Sequence, residues 1–245
     1  MGSLRFLWGL MLTNKYEFAG KTVEVNSLNE AVHKYCAAYL SEAPADFSIT
    51  TTQEDIEYER ARSEIQGCSD GYLEELAVYR KISEKMPSYD TILFHGSVVA
   101  VDGEAYLFTA ASGTGKSTHV ALWRKLFGER AVMVNDDKPL LHIGDVVTAY
   151  GTPYDGKHKL SNRIAVPLKA ICILERAETN SIVPVTKSEA YTMLIQQAYR
   201  PNDVFALQKT LALVDKMAEK VGLYRLGCNM DIEAAQVAYD GMNKA

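Results

Sequence analysis

The chain has 245 residues, 47% of them hydrophobic and 23% charged, with a formal net charge of −5. This is the composition of an ordinary globular protein that can bury a real core, in one large domain or two small ones. No basic excess exists to neutralise a phosphate backbone, so a general nucleic-acid-binding role is not expected, although a local basic patch stays open. The four cysteines, Cys36, Cys68, Cys172 and Cys228, offer no Cys-x-x-Cys pair and no histidine cluster accompanies them, which argues against zinc. They read as free thiols in a reducing cytoplasm.

Residues 1–12 are apolar, with Phe6-Leu7-Trp8 and Leu10-Met11-Leu12. A single positive charge precedes this stretch, no small-residue cleavage pattern follows it, and it is too short to span a bilayer. A first β-strand, or an appended sequence around Gly2-Ser3, is the expectation, and no other segment looks transmembrane. Tyr16 to Val25, interrupted at Ala19-Gly20-Lys21, predicts a hairpin. Ser27 and Glu30 have the spacing of a capping box, which predicts a helix to about Tyr39. Phe47 to Thr51 suits a short strand. A charged helix follows from Thr52 to about Ile65, and a third from Tyr72 to Lys85, whose apolar side is Leu73, Leu76, Ala77 and Tyr79 to Ile82. Residues 1–90 therefore read as a small α+β region, ended by Pro87-Ser88, and residues 91–245 as a second part or a continuation of one domain.

From Thr91 the pattern changes. Ile92 to Val101 is strand-like, Asp102-Gly103 is a strong hairpin turn, and Glu104 to Thr109 is the returning strand. A helix from Lys116 to about Phe127 precedes a short buried strand, Ala131 to Val134. A hairpin around Gly144-Asp145, a polar loop from Gly151 to Asn162 and a buried strand from Ala170 to Leu174 come next. Helices then dominate, at Ser188 to Ala198, Asp203 to Lys220 and Ile232 to Met242, with Arg200-Pro201 expected at a helix start and a strand at Leu223 to Leu226. Trp123, Tyr191 and Tyr199 are expected in the core.

The most informative stretch is Ala111-Ser112-Gly113-Thr114-Gly115-Lys116-Ser117-Thr118. A strand, a glycine-bearing loop and then Lys-Ser at a helix start form the context of a phosphate-binding (Walker A) loop. Glycines let successive N–H groups curl inward toward phosphate oxygens, and the helix N-terminus adds partial positive charge. Ser112, Gly113, Thr114, Gly115, Lys116, Ser117 and Thr118 would then bind a nucleotide, with Lys116 on the β- and γ-phosphates and Ser117 on Mg²⁺. The usual pattern begins with Gly, and here that place is held by Ala110, which is compatible with the loop if its φ is negative. An ordinary Gly-rich turn is the plainer alternative.

The loop follows the second arm of a hairpin rather than the first strand of a βαβ unit. His95-Gly96-Ser97-Val98-Val99 on the first arm, then Ser112 to Ser117, then Asn135-Asp136-Asp137, resembles the HPr kinase/phosphorylase group of the phosphoenolpyruvate carboxykinase-like superfamily. The resemblance is ordered over about Leu93 to Leu141 and looser to about Glu175. The remainder is closer to small stand-alone relatives found among bacterial peptide-modification systems, which include kinases of peptide precursors. The resemblance implies an α/β fold with a mixed β-sheet core and a P-loop, preceded by the small α+β region and followed by C-terminal helices. It implies a cytoplasmic, ATP-dependent, Mg²⁺-requiring kinase that phosphorylates Ser or Thr of a peptide or protein, with no nucleic-acid or membrane partner and scope for a homo-oligomer.

Within that expectation Asp136 joins Ser117 at the metal, and Asp137 takes the hydroxyl proton. Two adjacent side chains on an extended segment point to opposite faces, so both reach one site only if the strand has ended by then. His95 would orient phosphoryl groups, or serve as a hydrogen-bonded structural residue. Lys157, His158 and Arg163, in a basic loop, would contact substrate or transferred charge, or form an exposed hairpin tip. Arg176 would contact phosphate or make a surface salt bridge. The acceptor-side motif of HPr kinase proper is not evident. A small-molecule phosphotransferase and a catalytically impaired nucleotide-binding regulator are the alternative functions. Nothing distinguishes ATP from GTP.

Overall fold

The computed structural model describes residues 11–156 and 158–244. The chain forms two compact units, one running to Ile82 and the other starting at Ser83. Residues 1–10, to which part of the expectation for the apolar start refers, lie outside the described residues.

In the first unit β1 (Leu12–Phe18) and β2 (Lys21–Ser27) form the expected hairpin across Ala19-Gly20. After α1 (Glu30–Tyr35), β3 (Phe47–Thr50) joins β2 in parallel. Two helices follow, α2 (Gln53–Arg60) and α3 (Asp70–Lys85). The Ser27–Glu30 capping box does not form. Asn29 is the N-cap, and the Ser27 hydroxyl donates to the Asn29 carbonyl at 3.2 Å and meets His33 Nε2 at 2.9 Å. The buried Glu74 carboxylate accepts instead from the N–H groups of Leu28 and Asn29 at 2.6 and 2.8 Å. A tertiary acceptor thus fixes the two residues that lead into α1, and the helix stops four residues early, before a short 3₁₀ turn at Ala37–Tyr39. The charged helix does carry a capping box, between Thr52 and Asp55, but ends at Arg60 rather than Ile65. Ser63 Oγ accepts from Ile65 N at 3.2 Å, a local side-chain turn that competes with helix continuation.

The second unit is built on a nine-stranded mixed sheet. Its strands are β4 (Thr91–Leu93), β5 (Ser97–Val101), β6 (Glu104–Thr109), β7 (Ala131–Asn135), β8 (Leu140–Ile143), β9 (Val147–Tyr150), β10 (Ala165–Arg176), β11 (Ser181–Pro184) and β12 (Gly222–Cys228). The helices are α4 (Lys116–Phe127), α5 (Lys187–Gln197), α6 (Val204–Lys220) and α7 (Glu233–Asn243). The order runs β4-β8-β9-β10-β6-β5-β7, with β12 pairing β10 and β11. The sheet curls at β10. Its first residues pair antiparallel with β9, its last run parallel to β6 and β12, and the register shifts between Leu168 and Ala170.

The central strands β5 and β6 are buried on both faces, which explains their near-continuous apolar runs. Val98, Leu107, Ile171 and Ile173 pack with α5 and α6 residues such as Leu194, Val214 and Met217. Their alternate neighbours Val99, Tyr106, Phe108 and Cys172 pack with Trp123 of α4 and Ala238 of α7.

The expected continuous strand from Ile92 to Val101 is broken at Phe94-His95-Gly96. β4 leaves to pair with β8, whereas β5 pairs with β6 and β7. His95 N donates to the Gln197 carbonyl at 2.8 Å and Gly96 N to the Asp137 carbonyl at 3.0 Å, so the segment bonds outside the sheet. A Cβ on Gly96 would sit 3.0 Å from both Leu107 Cδ2 and the Phe108 carbonyl, so only glycine passes there without displacing a neighbour. Three further boundaries differ. The buried strand at Ala170 to Leu174 extends to Ala165–Arg176, β11 was not anticipated, and α6 starts at Val204 under the Asp203 side chain (2.8 Å to Ala206 N) instead of at Arg200-Pro201. All four cysteines are free thiols, and burial pushes the Cys36 thiol up to about 12. Among the described residues no helix is long and apolar enough to cross a membrane.

Candidate functional site

The loop from Ala110 to Gly115 leaves the end of β6 and enters α4. Gly113 and Gly115 have φ of 74° and 119°, values that favour glycine. Ala110 is fully buried and is not among the positive-φ residues, so alanine fits there without backbone strain. Thr114 N and Oγ1 both donate to the Ala111 carbonyl, at 3.3 and 2.9 Å, closing the loop on itself. Gly115 is the N-cap of α4 and supplies no side-chain acceptor. First-turn N–H groups of α4 are therefore open to an anion. Lys116 Nζ donates back to the Ala110 carbonyl at 3.3 Å. Burial draws the Lys116 pKa down, and the charges of Asp137 and Asp136 oppose that.

The two aspartates reach the same place because β7 ends at Asn135. Asn135 is fully buried and acts as a brace. Its Oδ1 accepts from the N–H groups of Asp137 and Lys138 at 2.8 and 2.6 Å, and its Nδ2 donates to the Thr152 carbonyl at 3.2 Å and hydroxyl at 3.0 Å. The chain bends there, which releases Asp136 and Asp137 from the alternation of a strand.

Asp136 is 6% exposed. Ser97 Oγ, at the start of β5, donates to its Oδ1 at 2.9 Å, and the Ser117 hydroxyl of the loop also hydrogen-bonds to it. Burial raises the Asp136 pKa, against these two hydroxyls and with help from the nearby Asp155. Asp137 has the opposite balance. Burial would raise it, but the hydrogen bond from His95 Nε2 (3.3 Å) and the charge of Lys138 (3.3 Å) hold it below the usual carboxylate value. One carboxylate is thus biased toward keeping a proton and its neighbour toward losing it.

His95, Ser112, Gly113, Gly115, Lys116, Ser117, Thr118, Asp136, Asp137, Gly156 and His158 line one cavity of about 570 Å³. Most of the sequence-predicted residues are therefore brought together. Lys157 lies outside the described residues. Arg163 is exposed just before β10 and does not line this cavity. Arg176 also lies away from it. At the end of β10 its Nη2 donates to the Gly113 carbonyl at 2.7 Å, so it clasps the outside of the loop.

Sequence reasoning missed Ser97, Asn135 and Asp155 as parts of the site. Ser97 follows His95-Gly96 directly and Asn135 precedes the two aspartates, so adjacency to those motifs is the signal that points to both. Asp155 lies in the loop whose sequence is otherwise marked by its cations. Its Oδ1 accepts from Asp136 N at 3.2 Å and Gly156 N at 2.7 Å, and its Oδ2 from Ser161 N at 2.8 Å, pinning that loop beside the aspartates. Among the described residues no group of three or more His, Cys, Asp or Glu is arranged to hold a metal ion.

These features define a mixed α/β protein with a glycine-bearing loop and paired carboxylates at one end of its sheet. The profile of the family described as SynChlorMet cassette protein ScmC matches residues 72–233, and the chain belongs to that family. Among solved structures the chain is similar to the Hpr(Ser) kinase/phosphatase from Coxiella burnetii, at 8% identity and a TM-score of 0.36, over 60% of this chain and 94% of that one. A search of curated proteins returns no match.

Proposed function

We propose that the chain is a nucleotide-dependent kinase that transfers a γ-phosphoryl group to a hydroxyl, with Ser or Thr of a peptide or protein as the acceptor. The observation that carries this reading is the single cavity shared by the loop, Lys116, Ser117, His95 and two oppositely tuned aspartates. Phosphoryl transfer asks a protein for charge neutralisation and positioning more than for covalent chemistry. Loop N–H groups and Lys116 bind the phosphates. The ionised Asp137 carboxylate, held by His95 and Lys138, accepts the acceptor's hydroxyl proton as the new O–P bond forms and the nucleoside diphosphate leaves.

Ser117 and Asp136, hard oxygen donors hydrogen-bonded to each other, fit a Mg²⁺ that arrives with a nucleotide, since such an ion uses one or two protein oxygens together with phosphates and water. Mg²⁺ bound there would supply neutralisation of phosphate charge. The negative φ region at Ala110 removes the loop's departure from the usual pattern as a reason to expect impaired catalysis. An adjoining cavity of about 520 Å³ has apolar walls at Val120, Met133 and Leu160, with Asp136 and Ser117 at one side and Arg124 at another. It gives an acceptor side chain a route to Ser117 and Asp136.

The test is transfer from γ-labelled ATP with Mg²⁺ to Ser/Thr-containing peptides and to small hydroxyl compounds. Label on a peptide supports the proposal. Label only on a small molecule replaces the acceptor class, and tight nucleotide binding without transfer replaces the kinase with a nucleotide-binding regulator.

A further inference from the structure

A second cavity, of about 500 Å³, lies on the outer side of the glycine-bearing loop. It opens beyond the C-terminal ends of β10 and β12, which run parallel to each other and to β6, the strand that feeds the loop. The crevice outside the carboxyl ends of parallel strands is where open α/β sheets hold their ligands. This cavity shares only Gly113, Gly115 and Thr118 with the cavity of the aspartates. A ligand held at the loop by its phosphates can therefore reach into both.

The two cavities differ in chemistry. No acidic residue lines the second one. Its charged wall residue, Arg176, already donates to the Gly113 carbonyl, and the other walls include Leu122, Leu174 and the exposed side chain of Met230. Apolar walls beside a planar guanidinium suit a flat ring system more than a metal ion. His119, one turn into α4, forms part of the same wall and is 3% exposed. Its Nε2 accepts from Trp123 Nε1 at 3.0 Å, so the proton of the neutral ring resides on Nδ1. That Nδ1 is buried and has no hydrogen-bond partner. The edge of the ring meets Phe108, at 4.6 Å between centroids and 64° between planes, which keeps it in place. A buried donor without an acceptor is uncommon in folded proteins and calls for a partner.

We propose that this second cavity takes the nucleobase of the bound nucleotide and that His119 Nδ1–H donates to an acceptor atom of the base. The nucleotide then lies across the loop, phosphates toward Lys116 and base toward β10 and β12. This rests on the nucleotide reading of the first cavity.

With Trp8→Phe, Trp123 is the sole tryptophan and reports on His119. The full chain is titrated with ATP and with inorganic tripolyphosphate, each with Mg²⁺, by calorimetry and by Trp123 emission. ATP is expected to bind at least tenfold more tightly than tripolyphosphate and alone to shift the emission. His119→Phe is expected to weaken ATP about tenfold, the worth of one hydrogen bond, and to leave tripolyphosphate unchanged. If tripolyphosphate binds but ATP gains nothing from its nucleoside, or if both ligands shift Trp123 alike, the base site is wrong while the phosphate reading stands. If neither ligand binds, the phosphate reading falls and this proposal with it. Should His119→Phe not fold, the emission of the parent protein decides the matter.

Discussion

Each of the two compact units buries a carboxylate, and the two are buried for different ends. Glu74, in the first unit, is wholly inaccessible, and its oxygens accept from Leu28 N, Asn29 N, Asn29 Nδ2 and the Thr51 hydroxyl. All of these donors belong to the surrounding fold, and Glu74 lines none of the three cavities described above. Asp136, in the second unit, is nearly as buried, but one of its partners is the loop hydroxyl of Ser117 and it lines the cavity of Lys116 and His95. Glu74 organises the start of α1. Asp136 keeps a raised pKa, a cost in stability that makes sense where a cation is to be met. Burial alone does not mark a functional carboxylate; the identity of its donors and its access to a cavity do.

Substitutions separate the two carboxylates and the groups around them. The largest effects are expected at the groups proposed to meet the transferred phosphoryl. Lys116→Ala and Asp137→Asn should each lower kcat by about a thousandfold with the fold intact. Transfer at parental rates in both would sink the site assignment.

Asp136 and Glu74 should then separate cleanly. Asp136→Asn is expected to abolish transfer while its melting temperature stays at or above that of the parent. The sign follows from the raised pKa: the folded state disfavours ionised Asp136, so its contribution to stability is lost as pH rises above the ordinary carboxylate value. Glu74→Ala leaves several buried donors without an acceptor and should cost about 3 kcal/mol in chemical denaturation, with activity per folded molecule retained. Two variants that behave alike would mean that Asp136 and Glu74 are buried for the same end.

His119 sharpens the picture through pH. Its folded-state pKa of about 4 lies below the ordinary 6.5. The unfolded chain therefore binds more protons between those values, and the parent loses stability as pH falls from about 6.5 toward 4. His119→Phe should remove up to about 3 kcal/mol of that pH dependence, read from denaturation curves across the window. The smallest effect is expected at Arg176. Arg176→Met frees the Gly113 carbonyl and should raise the nucleotide KM by about threefold with kcat nearly unchanged, as for loss of one partly exposed hydrogen bond.

The features legible in the sequence were those encoded within a few neighbouring residues. The hairpin turn at Asp102-Gly103, the strand-loop-helix passage through Ser112 to Thr118, the helix start at Thr52 and the strand at Glu104 to Thr109 all follow from local backbone preference and apolar patterning, and the structure contains each of them. What tertiary contacts decided lay in partners distant along the chain. Glu74 displaced the expected Ser27–Glu30 box from more than forty residues away. Close approach of Leu107 and Phe108 to Gly96 split one expected strand into β4 and β5. Asn135 could be seen in the sequence, but its role as a brace needs Thr152, brought beside it by the turn back through β8 and β9. The orphaned Nδ1 of His119 depends on Trp123 taking the other ring nitrogen and on burial that only the packed sheet provides. Local sequence can propose a turn, a cap or a loop, because the atoms involved are already near one another. Which buried polar atoms find partners, and which are left facing a cavity, is settled only when distant segments close around them.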